Sequence, residues 1–204
     1  MADITWADDF FPLLLKPNFI PLDVKTVLDV GCGRGLLGSL LRIFREPARI
    51  VAIDAYEPYL EFVKKMGMYN EVMKLDLSKN PLPFEDMSFD LVACLEVIEH
   101  LRRDEGLRLL DELERVGKRV IVSTPGYFFK QETYDGNAMQ EHFSLYKVKE
   151  FKARGYKVYG AGPLLFFGRR IRALSNRLAG FAYSCPKMAS ALVAVKNAAG
   201  KSKP

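Results

Sequence analysis

Short apolar runs alternate with longer amphipathic stretches along most of the chain, and this alternation predicts strands linked by helices. The runs predict strands at 26–30, 49–54, 71–76, 89–96, 119–125, 157–162 and 191–195. After the first run, apolar residues recur every three or four positions through Leu37, Leu41 and Phe44, which is the spacing of a helix that buries one face. This order of elements indicates an α/β fold whose parallel sheet is covered by helices on both faces.

A glycine-rich turn directly follows the first predicted strand. Gly31, Gly33 and Gly35 give the backbone the freedom for a tight turn at the carboxyl end of that strand, where open α/β sheets bind their ligands. A dinucleotide site places its last glycine at the sixth position of this pattern, and Leu36 stands there instead. The turn therefore favours a small cofactor without a pyrophosphate and disfavours a dinucleotide-dependent oxidoreductase.

Acidic residues end the next two predicted strands. Asp54 ends the run at 49–54, and Asp76 ends the run at 71–76. Because the carboxyl ends of parallel strands meet at one edge of a sheet, both carboxylates are expected near the glycine turn. A carboxylate at the end of the second strand can accept hydrogen bonds from both hydroxyls of a ribose. The pattern therefore predicts a cofactor that contains a nucleoside.

These features, with the loop at 81–90 and the stretch Glu96-Val-Ile-Glu-His-Leu101, resemble the class I S-adenosylmethionine-dependent methyltransferases over residues 24–160. Within that class the motifs are most similar to methyltransferase type 11. The resemblance implies a Rossmann-like sheet of seven strands in the order 3-2-1-4-5-7-6, with the last strand antiparallel, and S-adenosylmethionine as cofactor. It also implies the residues around the cofactor: Asp29, Gly31, Cys32, Gly33 and Gly35 at the turn, Asp54 and Ala55 at the ribose, Asp76 and Leu77 at the adenine, and Leu95 and Glu96 at the methionine end.

We expect catalysis by in-line displacement at the sulfonium methyl without a metal ion, because the cofactor carries the reactivity and the protein chiefly positions the acceptor. The two histidines, His100 and His142, both fall at the carboxyl edge of the predicted sheet. A histidine there can act as a general base because it titrates near neutral pH. His142 is the preferred base, since it falls in the aromatic segment 126–146, which is typical of a lid. The alternatives are that the two rings only pack and that positioning alone suffices.

The charge of the chain is strongly uneven. The first 150 residues carry nineteen basic and twenty-five acidic residues, a net charge of −6, whereas the last 54 carry eleven basic and no acidic residues. In a predicted insertion at 163–188, four arginines accompany an apolar helical stripe: Arg169, Arg170, Arg172 and Arg177. Such a segment can hold an anionic acceptor, rest on an anionic membrane surface or lie along nucleic acid, or its stripe can simply pack on the sheet.

No RNA-binding module is recognisable, so we expect a small-molecule or lipid-linked anionic acceptor and consider nucleic acid an unlikely partner. An RNA or protein methyltransferase and a non-catalytic S-adenosylmethionine-binding domain remain as alternatives.

The organisation predicted for residues 1–204 is a single domain. Residues 1–25 are expected to form an N-terminal cap helix, 126–146 the lid loop, and 197–204 a disordered tail. Three cysteines without ligand spacing indicate neither a disulfide framework nor a zinc site. The chain begins without a charged leader and contains no apolar run of about 18 residues, so we expect a cytoplasmic protein.

Overall fold

The computed structural model describes residues 13–133, 136–164 and 179–198. Its strands are β1 (Thr26–Val30), β2 (Arg49–Asp54), β3 (Glu71–Lys74), β4 (Leu91–Leu95), β5 (Arg119–Pro125), β6 (Lys157–Leu164) and β7 (Ala189–Asn197). Its helices are α1 (Leu36–Phe44), α2 (Glu57–Met66), α3 (Arg103–Val116), α4 (Val148–Ala153) and α5 (Ala179–Ser184). Short 3-10 turns lie at Ile98–His100, Ala138–Gln140 and Pro186–Met188.

The strands form one sheet in the order β3-β2-β1-β4-β5-β7-β6, which confirms the predicted order. Strands β1 to β5 run parallel, and β7 lies antiparallel between β5 and β6. The carboxyl ends of β1, β2 and β4 therefore meet at one edge, because β1 pairs with both of the others. The order of the chain reverses between β1 and β4, which is where sheets of this kind bind ligands.

Helices cover both faces of the sheet, as predicted. On one face, Leu41 of α1 and Leu60 of α2 are fully buried against the strands. On the other face, Leu110 and Leu113 of α3 and Phe151 of α4 form a second buried cluster. The strands read as nearly continuous apolar runs because both of their faces are covered.

Several strand boundaries differ from the sequence-based prediction. Strand β3 ends at Lys74 because it is an edge strand that pairs only with β2, whose register stops at Asp54. Asp76 therefore lies in the turn after β3 and not within the strand. Strand β4 begins at Leu91, since Phe89 makes only an isolated bridge. Strands β6 and β7 are longer than predicted.

Some predictions fall on parts of the chain that the structure does not describe. These are most of the N-terminal cap helix, the four arginines of the basic insertion (Arg169, Arg170, Arg172 and Arg177) and nearly all of the tail. The three cysteines lie within the described ranges and are free thiols. Among the helices of those ranges, none has the length and apolar character needed to cross a membrane.

Candidate active site

A cavity of about 400 Å³ opens at the carboxyl edge of the sheet, where the ends of β1, β2 and β4 meet the 3-10 turns. This volume lies within the range of about 300–1,000 Å³ that is usual for small-molecule sites. The lining comes from the glycine turn, the end of β2, the residues after β3 and β4, the start of α3, and the segment predicted as a lid (126–146), for which the name lid is kept. The lining residues are Gly31, Gly33, Asp54, Ala55, Asp76, Leu77, Ser78, Lys79, Glu96, Val97, His100, Leu101, Arg102, Glu105, Asn137, Ala138, Met139, Gln140 and Phe143.

The glycine turn is held against the end of β2. The amides of Gly31 and Cys32 donate to the carbonyl of Ile53, at 2.8 and 2.9 Å. Gly31 and Gly33 both have φ in the left-handed region, which favours glycine. A Cβ on Gly31 would lie 2.3 Å from Val97 Cγ2, whereas a Cβ on Gly33 would meet no atom within 4 Å. The backbone of Gly33 therefore faces open space in the cavity, as a surface for close approach by a ligand would.

Asp54 at the end of β2 is fixed by the backbone around it. Its Oδ2 accepts a hydrogen bond from the Gly33 amide at 2.9 Å, and its Oδ1 accepts one from the Tyr56 amide at 2.9 Å. Burial raises the pKa of this carboxyl, and the amide hydrogen bonds oppose that rise. Each carboxylate oxygen retains a further acceptor position. Asp54 can therefore accept hydrogen bonds from a ligand without losing its own supports.

Asp76 lies on the neighbouring wall. Its Oδ1 accepts from the Ser78 amide and hydroxyl at 3.0 and 2.6 Å, and its Oδ2 lies 2.7 Å from Lys79 Nζ. These contacts, that of Lys79 foremost, lower the pKa of Asp76. The carboxyl is thus charged and oriented at the cavity wall.

Asp29 is buried beneath the turn and does not line the cavity. The Tyr69 hydroxyl donates a hydrogen bond of 2.6 Å to its Oδ2. Burial raises the pKa of Asp29 to about 7. Asp29 therefore lies beneath the glycine turn, on the side away from the cavity, and does not face a ligand bound there.

Glu96 lies at the end of β4 with φ of 55°, a left-handed conformation that is uncommon for a residue with a side chain. Its amide donates to the Ser123 hydroxyl at 3.0 Å, and its carboxyl accepts from that hydroxyl at 2.6 Å. Burial raises the pKa of Glu96. Backbone strain that persists in this way concentrates at functional sites.

Glu99, His100 and His142 form a cluster at the lid end of the cavity. One side-chain donor atom from each lies within 4.8 Å of the others. The two imidazole rings have centroids 4.8 Å apart, and Phe129 packs edge-on against His142 at 4.5 Å. Burial lowers the pKa of His100 to about 4 and lowers that of His142. Both rings are therefore neutral at neutral pH.

Backbone hydrogen bonds hold the lid against the turn after β4. The carbonyl of Glu99 accepts from the amides of Phe143 and Ser144, at 2.8 and 3.1 Å. The Ser144 hydroxyl donates to the carbonyl of Leu101 at 2.7 Å. These contacts place His142 beside Glu99 although 43 positions separate them in the chain.

The structure brings most of the predicted site residues together. Those that line the cavity are Gly31, Gly33, Asp54, Ala55, Asp76, Leu77, Glu96 and His100. Those that do not line it are Asp29, Cys32, Gly35, Leu95 and His142. Of the two histidines predicted as bases, His100 thus reaches the cavity and His142 lies behind it. Sequence reasoning placed Phe143 in the predicted lid but did not single out Arg102 or Met139, which also line the cavity.

The sheet order, the glycine turn, the acid that ends β2 and the acid in the turn after β3 are those of a class I S-adenosylmethionine-dependent methyltransferase. Residues 28–120 match the family described as "Methyltransferase domain", type 11. This part of the chain is thus a methyltransferase domain of that family, whose methyl donor is S-adenosylmethionine.

The chain is similar to proteins with different acceptors. It is 35% identical over 129 residues to a tRNA U34 carboxymethyltransferase of Shewanella sediminis, covering 60% of this chain and 38% of that protein. It is 31% identical over 111 residues to a ubiquinone biosynthesis O-methyltransferase of Xylella fastidiosa, covering 52% of this chain and 44% of that protein. The chain thus spans about two fifths of the length of these relatives. The first of them removes support for the expectation that nucleic acid is an unlikely partner.

A solved structure shares the fold. An S-adenosylmethionine-dependent methyltransferase from Archaeoglobus fulgidus superposes with a TM-score of 0.57 and 16% identity, over 91% of this chain and 94% of that one. At this identity the similarity supports the architecture alone.

Proposed function

We propose that the cavity binds S-adenosylmethionine with its adenosine between the glycine turn, Asp54 and Asp76, and with its methionine end toward Glu96. The open space at Gly33 admits a ligand against bare backbone, and Asp54 retains free acceptor positions for ribose hydroxyls. Asp76 and the backbone at Leu77 line the wall that we assign to the adenine. When bound, the cofactor supplies an electrophilic methyl group on a positively charged sulfur.

The acceptor is proposed to be a small or lipid-linked molecule with an anionic group. This proposal is carried by Arg102, an exposed residue at the lid end of the cavity whose guanidinium carbon lies 5.6 Å from the centre of the Phe143 ring. In the described part of the chain, Arg102 forms no salt bridge with an acid. Phe143 and Met139 are about half exposed beside it. A cation next to exposed apolar side chains suits an acceptor with an apolar body and a negative group.

Binding of the cofactor is tested by thermal melting with S-adenosylmethionine, S-adenosylhomocysteine and NAD in separate samples. A ligand that binds only the folded state raises the melting temperature. We expect a rise with the first two compounds and none with NAD. A rise with NAD alone would contradict the cofactor assignment.

The acceptor is tested by transfer of a radiolabelled methyl group to hydroxylated aromatic acids, to phenols that carry isoprenoid chains, and to total tRNA. With an anionic acceptor, Arg102→Gln should raise KM about tenfold, because a charged hydrogen bond contributes about 1.5–3 kcal/mol. Arg108→Gln is the matched control, since Arg108 lies on α3 outside this cavity and pairs with Asp104 on the surface. Equal KM values for the two variants would remove Arg102 from the acceptor site.

A nucleic acid acceptor is the second candidate. It is favoured by the relative named for tRNA and by the eleven basic and no acidic residues after position 150. Label in the tRNA fraction, with none in the small acceptors, would select it over the first proposal.

A further inference from the structure

The carboxyl of Glu99 is buried without a hydrogen-bonding partner. Its side chain is 2% exposed, and neither carboxylate oxygen accepts a hydrogen bond from the described residues. Glu96 and Thr124 face it, but neither makes a hydrogen bond of normal geometry with it. A buried carboxyl in this condition costs free energy unless a proton, a water or a metal ion satisfies it.

The imidazole rings of His100 and His142 each place a nitrogen atom near the carboxyl of Glu99. His100 Nδ1 lies 3.1 Å from the carbonyl of Glu141, and His142 Nδ1 lies 3.1 Å from the carbonyl of Phe129. A carbonyl can only accept, so each Nδ1 carries the proton and each Nε2 of the neutral ring has a free lone pair. The carbonyls of Gln140 and Glu96 also face the His100 ring. Histidines that ligate metals are typically oriented by a backbone carbonyl in this way.

The distances are close to those of a metal site. An ion bonds to imidazole nitrogen at about 2.0–2.1 Å and to carboxylate oxygen at about 2.0–2.2 Å, so donors to one ion lie about 3–4 Å apart. The donors of Glu99, His100 and His142 lie within 4.8 Å of one another, and small side-chain rotations would close the difference. The hydrogen bonds from the lid to the Glu99 carbonyl hold two of these ligands together.

We propose that Glu99, His100 and His142 bind a divalent transition-metal ion at the lid end of the cavity. Two imidazoles and a carboxylate favour Mn²⁺, Fe²⁺, Co²⁺ or Zn²⁺ over Mg²⁺ and Ca²⁺, which prefer oxygen ligands. Glu96, on the adjacent cavity wall, supplies a nearby second carboxylate. This inference departs from the sequence-based expectation of catalysis without a metal ion.

Three protein ligands leave coordination positions open to a molecule in the cavity, because His100 belongs both to the cluster and to the cavity wall. An acceptor with oxygen donors would be oriented there, and the ion would lower the pKa of a bound hydroxyl. This role in methyl transfer rests on the proposed function. Binding of the ion by the free protein does not rest on the proposed function. The metal site and the proposed function can therefore be refuted separately.

The test is metal titration of the chelator-treated protein, using Co²⁺ absorption spectroscopy and calorimetry with Mn²⁺. The variants are Glu99→Gln and His142→Gln, which remove a ligand charge and an imidazole. Glu141→Gln is the matched control, because its exposed side chain lies in the same lid and outside the cluster. Melting temperature and S-adenosylmethionine affinity are measured for every variant, to separate loss of a ligand from loss of the fold.

We expect one ion per chain for the parent and for Glu141→Gln, with the Co²⁺ spectrum of a site containing imidazole. Affinity should fall at least tenfold in both ligand variants, while cofactor affinity stays within twofold of the parent. Absence of binding in the parent overturns the proposal, and so does an affinity in both Glu99→Gln and His142→Gln that equals that of the parent. If one variant fails to fold, the other decides.

Discussion

The two ends of the cavity differ in how their polar groups are satisfied. At the end formed by β1, β2 and β3, the carboxylates of Asp54 and Asp76 both accept hydrogen bonds from nearby backbone amides. At the end formed by β4 and the lid, the carboxyl of Glu99 is buried without a hydrogen bond from the described residues, and Glu96 adopts a left-handed backbone conformation. The carboxylates of the first end therefore have hydrogen-bonding partners before any ligand binds, whereas the carboxyl of Glu99 at the second end has none among the described residues.

This difference separates two kinds of recognition. Groups held by the backbone keep one orientation and are suited to a cofactor that every family member uses. Unpaired groups lower the stability of the free protein and are retained where a ligand completes them. We therefore expect substitutions at the first end to weaken cofactor binding, and substitutions at the second to affect the metal ion or the acceptor.

The largest effect is expected from Asp54→Ala, which removes the carboxylate assigned to the ribose. Charged hydrogen bonds contribute about 1.5–3 kcal/mol each, so the loss of two of them should lower S-adenosylmethionine affinity at least about 100-fold. Calorimetry measures this loss, and Asp104→Ala, an exposed acid on α3, is the control. Unchanged affinity in Asp54→Ala would refute the ribose assignment.

A second prediction concerns Asp29, a buried acid that has a partner, in contrast to Glu99. Its pKa of about 7 lies above its ordinary value of 3.8, so the folded protein keeps a proton that the unfolded chain releases. The carboxyl therefore destabilises the fold increasingly as the pH rises from about 4 to 7, and the cost then stays constant. Asp29→Asn, which can still accept from Tyr69, should stabilise the protein by about 4 kcal/mol at pH 8 and by little at pH 4.

Chemical denaturation at pH 4, 5.5 and 8 checks this dependence. A stabilisation that is the same at all three values would mean that the carboxyl of Asp29 titrates normally. Cofactor affinity of the same variant tests the prediction that Asp29 belongs to the cofactor site. From its position under the turn we expect a change of less than about twofold, since no direct charged hydrogen bond is lost.

A smaller loss of cofactor affinity than that of Asp54→Ala is expected from Gly33→Ala, whose methyl group would project into the space assigned to the cofactor. We expect cofactor affinity to fall about tenfold, with about 1 kcal/mol of backbone strain from the positive φ. Gly67→Ala is a close control, because Gly67 also has a positive φ and open space around it but ends α2 away from the cavity. The two variants should lose similar stability and differ in affinity. Equal affinities would place the cofactor elsewhere.

Much of the fold could be predicted because its signals are local. The apolar runs gave the bounds of β1, β2 and β5, and the glycine turn with Asp54 gave the class of cofactor. Strand β3 was predicted too long, since an apolar run does not show where the pairing of an edge strand stops. The sequence-based site residues that line the cavity all follow strand ends, which is the position that the motifs specify.

The rest of the site depends on contacts between distant parts of the chain. The Tyr69 hydroxyl reaches Asp29 across 40 positions, and nothing in either local sequence predicts the pair. His142 meets Glu99 only because the lid folds back over the turn after β4. The sequence suggested both histidines as bases, whereas their Nδ1 contacts, which decide what each ring can do, exist only in the folded chain.

The Glu99 carbonyl, which accepts from both the Phe143 and Ser144 amides, has a consequence for hydrogen–deuterium exchange. Loop amides generally exchange quickly, but these two are withheld from solvent until the lid separates from the turn. Their exchange rates therefore report opening of the lid as a single event. A ligand that bridges Glu99 and His142 would slow both rates by the same factor and leave the exposed amides of the loop unchanged.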